Sequence, residues 1–320
     1  ISKTFRVFNP EVDYDQKDAD GEECSLGVVL RALRNEGGIQ AVILYNPSNA
    51  AAMILRFYTA CLGLRAVLDL TEWYEYSDLP SLRAVAEVFF RMNLSYRLYS
   101  RMILISEYLY NHYRPPIGRV IPPLAGSDMV LRKERAKLEG DEPLRIFYAG
   151  FPGKKDRIDL LIGWLTEVSL PFPVQLILAG PKINQISDFA VERDGLEIVA
   201  LGPIDREAVF NLYAECHISA IIRDDARYER AGFPTKSVEG WSFGVPALVM
   251  SHASFALRAF EYGAAIAIES ENPVSSLESI LKGLYMDKER LSAMSESALR
   301  LVADHHSVES YVDVVKEVLL

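Results

Sequence analysis

The stretch of this sequence richest in groups that could do chemistry is Arg223-Asp-Asp-Ala-Arg-Tyr-Glu-Arg-Ala-Gly-Phe-Pro-Thr-Lys-Ser-Val-Glu239. It follows an apolar run, HISAII, and leads into KSVEGWSF, so it reads as a loop from a strand to a helix. Gly232, before Phe233, lets the backbone approach a ligand closely. Pro234 or Thr235 then opens the helix, Pro as a favoured first residue and Thr as a cap. Free amides of a first helical turn, at the positive end of the helix dipole, suit a phosphate. Lys236 adds a formal positive charge, and Glu239 lies on the same helix face, where a carboxylate can accept hydrogen bonds from a ribose diol. The same residues also fit an ordinary helix start, because Pro-Thr caps helices and the dipole alone favours an acid in the first turn.

A second loop, Tyr148-Ala-Gly-Phe-Pro-Gly-Lys-Lys-Asp156, again joins an apolar run to a helical one. Gly150 and Gly153 make the turn, and Lys154 and Lys155 stand where a phosphate could meet them. It is not a P-loop: the glycine spacing is too short, and no Ser or Thr follows the lysines. Read blandly, it is a Gly-Pro turn with two solvated lysines. Leu201-Gly-Pro-Ile204 also follows a strand-like run and by itself says only that the chain turns at Gly202. Nearer the N-terminus, Asp69, Glu72 and Trp73 follow another such run and could hold a sugar by hydrogen bonds and stacking. Trp73 equally suits a core.

Positioning such loops takes strands. Short β-branched runs alternate with helical stretches, which predicts parallel sheets with crossover helices. The first series places strands at 41–45, 65–70, 102–105 and 119–122, with helices near 26–35, 50–62, 82–99 and 107–113. A charged stretch over 126–144 reads as a linker or a solvated surface helix. A second series places strands at 145–150, 173–180, 196–201, 217–222, 246–251 and 264–269, with helices near 157–168, 206–214, 235–243 and 255–262. From about Ser275 the tail is helical only. The expected fold is α/β, with two doubly wound, Rossmann-like parallel-sheet domains whose strand ends face a cleft, where such sheets bind ligands. The expected domains are residues 1–125 and 145–305 around the 126–144 linker, with a last helix over 306–320 that packs back on the first domain.

Composition narrows the chemistry. With 320 residues, half of them apolar, the chain suits two soluble domains. A net charge of −10 argues against nucleic acid as a partner and against broad adhesion to anionic lipid. A local basic patch around Arg91, Arg97 and Arg101 leaves peripheral membrane contact open. Cys24, Cys61 and Cys216 form no C-x-x-C pair, and the adjacent His305 and His306 point to different faces of a helix, so neither disulfide nor metal spacing is present. No apolar run reaches the roughly 18 residues of a membrane span, and there is no signal-peptide pattern; a cytoplasmic location is expected.

In order, DLTEWYEY (69–76), LISEYLYNHY (104–113), VIPPL (120–124), YAGFPGKKDRIDLLI (148–162), LAGP (178–181), the Gly202–Ile204 turn and RAGFPTKSVEGWSFGVPAL (230–248) resemble glycosyltransferase family 4, the retaining GT-B enzymes that use nucleotide sugars. The nearest likeness is to bacterial capsular or surface polysaccharide transferases. By position, the resemblance implies that Lys155, with Lys154 beside it, and Arg223 meet the donor diphosphate. It implies that Gly150 shapes the first donor loop, that Gly232, Phe233, Pro234, Thr235 and Lys236 present amides to the sugar and phosphate, and that Glu239 holds the ribose. Gly202 and Ile204 would border the base, and Asp69, Glu72 and Trp73 would face the acceptor.

The sequence departs from that pattern in three places. Ala231 stands where many members carry the first of two glutamates, and Phe151 where many carry an arginine, a loss for which Arg223 could compensate. The usual first strand and Gly-rich loop are not found before Ser25, so the start reads as truncated or degenerate. The expected activity is transfer of a hexose, with retention, from a nucleotide sugar, UDP-sugar favoured, to a hydroxyl of a glycan, glycolipid or polysaccharide precursor. No cofactor and no metal are expected. The alternatives are a sugar-nucleotide-binding scaffold on the same fold and, less favoured, a sugar-nucleotide epimerase.

Overall fold

The computed structural model describes residues 30, 33–34, 39–126, 136–151, 155–186 and 193–320. Most of the helix expected over 26–35 and residues 127–135 of the expected linker therefore lie outside the described residues, as does Lys154; residues 30, 33 and 34 are helical. Contacts divide the chain into two units: Ile1–Pro122 with Ala231–Phe233 and Tyr311–Leu320, and Pro123–Arg230 with Pro234–Ser310.

The first unit holds a four-stranded parallel sheet in the order β1 (Ala41–Tyr45), β2 (Arg65–Leu70), β3 (Arg101–Leu104) and β4 (Ile117–Val120). Its crossovers start at serines. Ser48, Ser81 and Ser106 each accept an amide of the first turn, of α1 (Asn49–Cys61), α2 (Leu82–Phe90) and α3 (Glu107–Tyr113) respectively, which stabilises each start by about 1 kcal/mol. The helix expected over 82–99 does run that far, but it widens to a π turn at Arg91–Ser95 and tightens at Tyr96–Leu98. This turn carries Tyr96 and Tyr99 into the core, where their hydroxyls donate to the carbonyls of Pro47 and Ala52, both at 2.7 Å. Of the three arginines of the expected basic patch, Arg97 stays exposed. Arg91 is buried over the Tyr74 ring, and Arg101 donates to the Val318 carbonyl at 2.7 Å.

Strand alternation gives this sheet two faces. Val42, Leu44, Leu68, Leu70, Met102 and Leu104 pack in one core with Leu55 of α1. Val67 and Ile103 face the other way and are covered by Val318 of the terminal helix α12 (Val312–Leu319). An Arg119–Glu317 ion pair at 2.8 Å also holds α12 to the sheet.

The second unit holds a six-stranded parallel sheet in the order β10-β9-β8-β5-β6-β7. The strands are β5 (Leu144–Ala149), β6 (Val174–Ala179), β7 (Leu196–Gly202), β8 (Ile218–Ile221), β9 (Ala247–Met250) and β10 (Ala265–Ile268). Between them run α4 (Ile158–Glu167), α5 (Ile183–Ile186), α6 (Arg206–Glu215), α7 (Arg227–Ala231), α8 (Thr235–Ser242) and α9 (Leu257–Tyr262), followed by α10 (Pro273–Met286) and α11 (Lys288–His305). Nearly continuous apolar strands mark a sheet covered on both faces. His306 donates from Nδ1 to the Pro123 carbonyl at 2.8 Å, and burial pushes its pKa down to about 4, so it works as a neutral clip between α11 and the start of the unit. Among the described residues no helix is long and apolar enough to cross a membrane.

Because Val318 is fully buried against the second face of the first sheet, Val318→Asp would place an unpaired carboxylate there. A loss of roughly 2–4 kcal/mol in urea unfolding is expected; an unchanged midpoint would show that α12 does not cover that face in solution.

Candidate functional site

In the second sheet β5 lies between β6 and β8, so the strand order reverses beside β5. Connections leaving a sheet at such a point diverge and leave room for a ligand at the strand C-termini. The residues that follow β5 and β8 there are Asp156-Arg157 and Arg223-Asp224, the same two charges in opposite order. They pair crosswise. Arg223 Nε donates to Asp156 Oδ1 at 2.9 Å, and Arg157 Nη1 meets Asp224 Oδ2 at 2.9 Å while its Nη2 meets Asp159 at 2.8 Å. The Arg157 amide also donates to the Ile222 carbonyl at 2.8 Å, which sets the register of the two loops.

The inner pair is the buried one. The side chains of Asp156 and Arg223 are each 10% exposed, and the Lys236 ammonium, on a side chain 15% exposed, donates to the second carboxylate oxygen of Asp156. Tyr148 completes the shell: its hydroxyl donates to Asp156 Oδ2 at 3.2 Å, and its ring lies 4.4 Å from Lys236 Nζ. Burial pushes the Asp156 carboxyl up, but Lys236 and Arg223 outweigh it and hold the group below the usual carboxylate range. Asp156, Arg223 and Lys236 carry one negative and two positive charges between them in a poorly solvated place, where burial pushes the Lys236 ammonium down and Glu239 nearby offsets part of the surplus.

Local geometry explains why this loop begins with glycine. Gly150 has φ +147, and a Cβ there would lie 2.6 Å from Lys236 Nζ. Gly180, at the end of β6, has φ +117, and a Cβ there would lie 2.0 Å from the Gly150 carbonyl oxygen, a backbone atom that cannot swing away. Strands β5 and β6 can leave the sheet side by side only because both residues lack a side chain.

Helix α8 presents its N-terminus to the same region of the unit. Pro234 occupies the capping position without a side-chain cap, and Thr235 opens the helix as its first residue rather than as its cap. Among the starting amides of α8 that of Ser237 donates to the Pro234 carbonyl at 3.0 Å, and those of Thr235 and Lys236 precede any i−4 partner of the helix. The Tyr213 hydroxyl pins the turn by donating to the Lys236 carbonyl at 3.1 Å. Glu239 is half-buried on α8, close enough to Lys236 and Tyr213 to act on their ionisation. Lys236 differs most from expectation: its charge is engaged by Asp156 and Tyr148 rather than held out as a separate phosphate ligand.

Lys155 is exposed in the β5–α4 loop, and it is its neighbour Asp156 that enters the cluster. Gly202 is buried at the end of β7, its carbonyl accepting the Gly180 amide at 2.8 Å, and Ile204 is half-buried just before α6. Gly232 and Phe233 group with the first unit. Ala231 and Phe233 join that unit's core, and Ser106 Oγ donates to the Ala231 carbonyl at 2.7 Å. In the first unit Trp73 packs edge-on to Tyr108 and His112, at 5.6 and 5.0 Å between ring centroids, against the core. Glu72 is half-buried beside it.

Asp69 is the penultimate residue of β2, next to a polar turn. There Asn46, at φ +40, donates to Thr71 Oγ1 at 2.6 Å, and Thr71 donates to the Tyr45 hydroxyl at 3.0 Å. Burial pushes the Asp69 carboxyl up to about 6.

Reading the sequence missed Asp156, Tyr148, His252 and Glu229. The mirrored Asp-Arg and Arg-Asp pairs were visible, but only the β5–β8 pairing makes them partners. His252 donates from Nε2 to the Arg223 carbonyl at 3.0 Å, a role fixed because a carbonyl only accepts. Glu229 is fully buried and accepts the Ser254 amide at 3.2 Å, and burial pushes its carboxyl up. Among the described residues no group of three or more His, Cys, Asp or Glu is gathered as a metal site.

No protein-family model matches this sequence, and no curated protein matches it. Solved structures do. HepE of Anabaena in complex with UDP and glucose is 15% identical with a TM-score of 0.67, over 92% of this chain and 80% of that one. The sucrose-phosphate synthase of Thermosynechococcus elongatus is 12% identical with a TM-score of 0.68, over 98% and 81%. An α-glucosyltransferase in complex with UDP-glucose and DNA containing an abasic site is 10% identical with a TM-score of 0.63, over 92% and 83%. Identity this low speaks for the fold alone: two parallel-sheet α/β units of the GT-B class.

Two outcomes are expected. Gly180→Ala should lower stability by roughly 1–3 kcal/mol or more through backbone strain and the clash with Gly150. Gly163→Ala, in the open interior of α4, should instead stabilise by up to about 1 kcal/mol. Equal melting temperatures for the two variants would contradict the described loop. For Asp69, a raised pKa means that the folded chain holds the proton more tightly than the unfolded one. Its contribution is complete below about pH 4 and is lost as pH rises to about 6. Asp69→Asn should therefore gain up to about 3 kcal/mol on wild type at pH 7 and nothing near pH 3.5; a constant difference across that range would contradict the assignment.

Proposed function

We propose that the chain is a glycosyltransferase that moves a hexose, with retention, from a nucleotide sugar to a hydroxyl of a glycan, glycolipid or polysaccharide precursor. UDP is the favoured nucleotide, because structures of the same fold have been solved with UDP or UDP-glucose. The observation that carries the reading is the cationic cluster at the reversal of the second sheet, beside the uncapped start of α8. A diphosphate is the ligand such a place suits. The Arg223 guanidinium offers charge-assisted donors, the first amides of α8 add the positive end of a dipole, and Lys155 is exposed on the preceding loop.

When the bond from the sugar's anomeric carbon to the phosphate oxygen breaks, negative charge grows on the departing diphosphate. Donors fixed beforehand in a poorly solvated place stabilise that charge without rearranging. Glu239 would accept hydrogen bonds from the ribose diol, and Gly202 and Ile204 would lie along the base. In the first unit Asp69, whose carboxyl burial pushes up to about 6, would stand on the acceptor side. Glu72 and Trp73 stand beside it, with Trp73 mainly packed. Retention and the class of acceptor come from the resemblance of the sequence motifs.

The test is a thermal-unfolding panel with UDP, GDP and ADP, run alongside UDP-sugar turnover. UDP at a hundredfold excess over its Kd should supply about 2.7 kcal/mol of stability by linkage, and Glu239→Ala should abolish that gain. Arg223→Ala and Lys155→Ala should each lower turnover by roughly 10²–10³. No response to any nucleotide would overturn the reading, and binding without turnover would leave a sugar-nucleotide-binding scaffold in its place.

A further inference from the structure

Asp156 is a costly residue to bury, and a single cation would neutralise it. It has two. Lys236 fills one side of its carboxylate and is itself closed in by the Tyr148 ring and by Gly150, whose missing side chain is the space that Nζ occupies. Arg223 takes the other oxygen through Nε alone, at 2.9 Å. A guanidinium has five N–H donors, so this contact uses one and leaves the two terminal nitrogens. Neither has a hydrogen-bond partner among the described residues, although the side chain is 90% out of solvent. The Arg223 backbone is held as well, its carbonyl by His252 and its loop by the Arg157–Asp224 pair and the Arg157 amide. A buried cation fixed at backbone and Nε, with its terminal donors left over, is arranged to meet an anion.

We propose that Asp156 is a positioning residue of the diphosphate site: it holds Arg223 by Nε so that Nη1 and Nη2 face the phosphates, with Lys236 as its counter-ion rather than as a phosphate ligand. This rests on the nucleotide-sugar reading of the same site. It divides the two cations of the cluster by role. Lys236 neutralises and fills; Arg223 binds. The charge that attracts the ligand is the surplus of the cluster, not that of the lysine in the GFPTK stretch.

Five forms of the full chain test it: wild type, Asp156→Asn, Asp156→Asn with Lys236→Met, Arg223→Ala, and Arg223→Ala with Asp156→Asn. Each is titrated calorimetrically with UDP and with inorganic pyrophosphate and is melted without ligand. Asp156→Asn alone leaves two buried cations without their carboxylate, so it should both melt earlier and bind UDP at least tenfold more weakly. Removing the Lys236 charge in the double variant should restore most of the melting temperature but not the affinity, because Arg223 is still unheld. Adding Asp156→Asn to Arg223→Ala should cost less than a further twofold in affinity, since the carboxylate acts through the arginine. A double variant that binds UDP within twofold of wild type would overturn the proposal while the nucleotide reading stands. So would additive losses for Asp156 and Arg223. A wild-type chain that binds neither UDP nor pyrophosphate would overturn both.

Discussion

The second unit is organised around one exchange of charges between two loops. Asp156-Arg157 after β5 and Arg223-Asp224 after β8 pair crosswise, and each pair constrains what the other can do. The outer pair is half-solvated and by itself worth little, on the order of 1 kcal/mol or less. Its value is geometric, because with the Arg157 amide it sets which residue of one loop faces which of the other. The inner pair is the expensive one. A buried carboxylate that loses one partner can cost roughly 3–5 kcal/mol, so Asp156 is stable only while Arg223 and Lys236 stay in reach. Gly150, Gly180 and Tyr148 exist around that requirement: two leave room, and one roofs the ammonium.

Much of this fold was legible in the sequence because a parallel sheet buried on both faces writes itself as short apolar runs. Strands β1 and β2 were delimited to the residue, and the other eight to within two residues, since β-branched stretches end abruptly at polar or glycine positions. Helix α7 was missed because Arg227–Ala231 is polar and short, with no apolar period to reveal it. The π turn at Arg91–Ser95 was missed for another reason: widening a helix by one residue shifts which side chains meet the core without changing the residue types.

The candidate site was only half legible. Loop chemistry named Gly150, Arg223, Lys236 and Glu239, because glycines and charges at strand ends stand out in one dimension. It could not reveal that Lys236 is spoken for, since its partner lies 80 residues earlier. Asp156 looked like one more solvated charge beside two lysines. Its burial follows from the β5–β8 pairing, a long-range contact that no local pattern carries. Gly232 and Phe233, named with the same stretch, group by contact with the first unit, where Ser106 holds the Ala231 carbonyl.

The first unit is also assembled from three separated stretches of chain, the last of them Tyr311–Leu320. A ribosome delivers residues in order, and domains ordinarily mature from the N-terminus as they emerge. Here that order is inverted. The sheet of the first unit is synthesised early, but Val67 and Ile103 wait for Val318. The second unit, complete at Ser310, can finish its core while the first still shows an apolar face to solvent or to a chaperone. Closure of the first unit thus waits for α12, and a nascent chain stalled before it would carry a finished second unit and a first one with an uncovered apolar face.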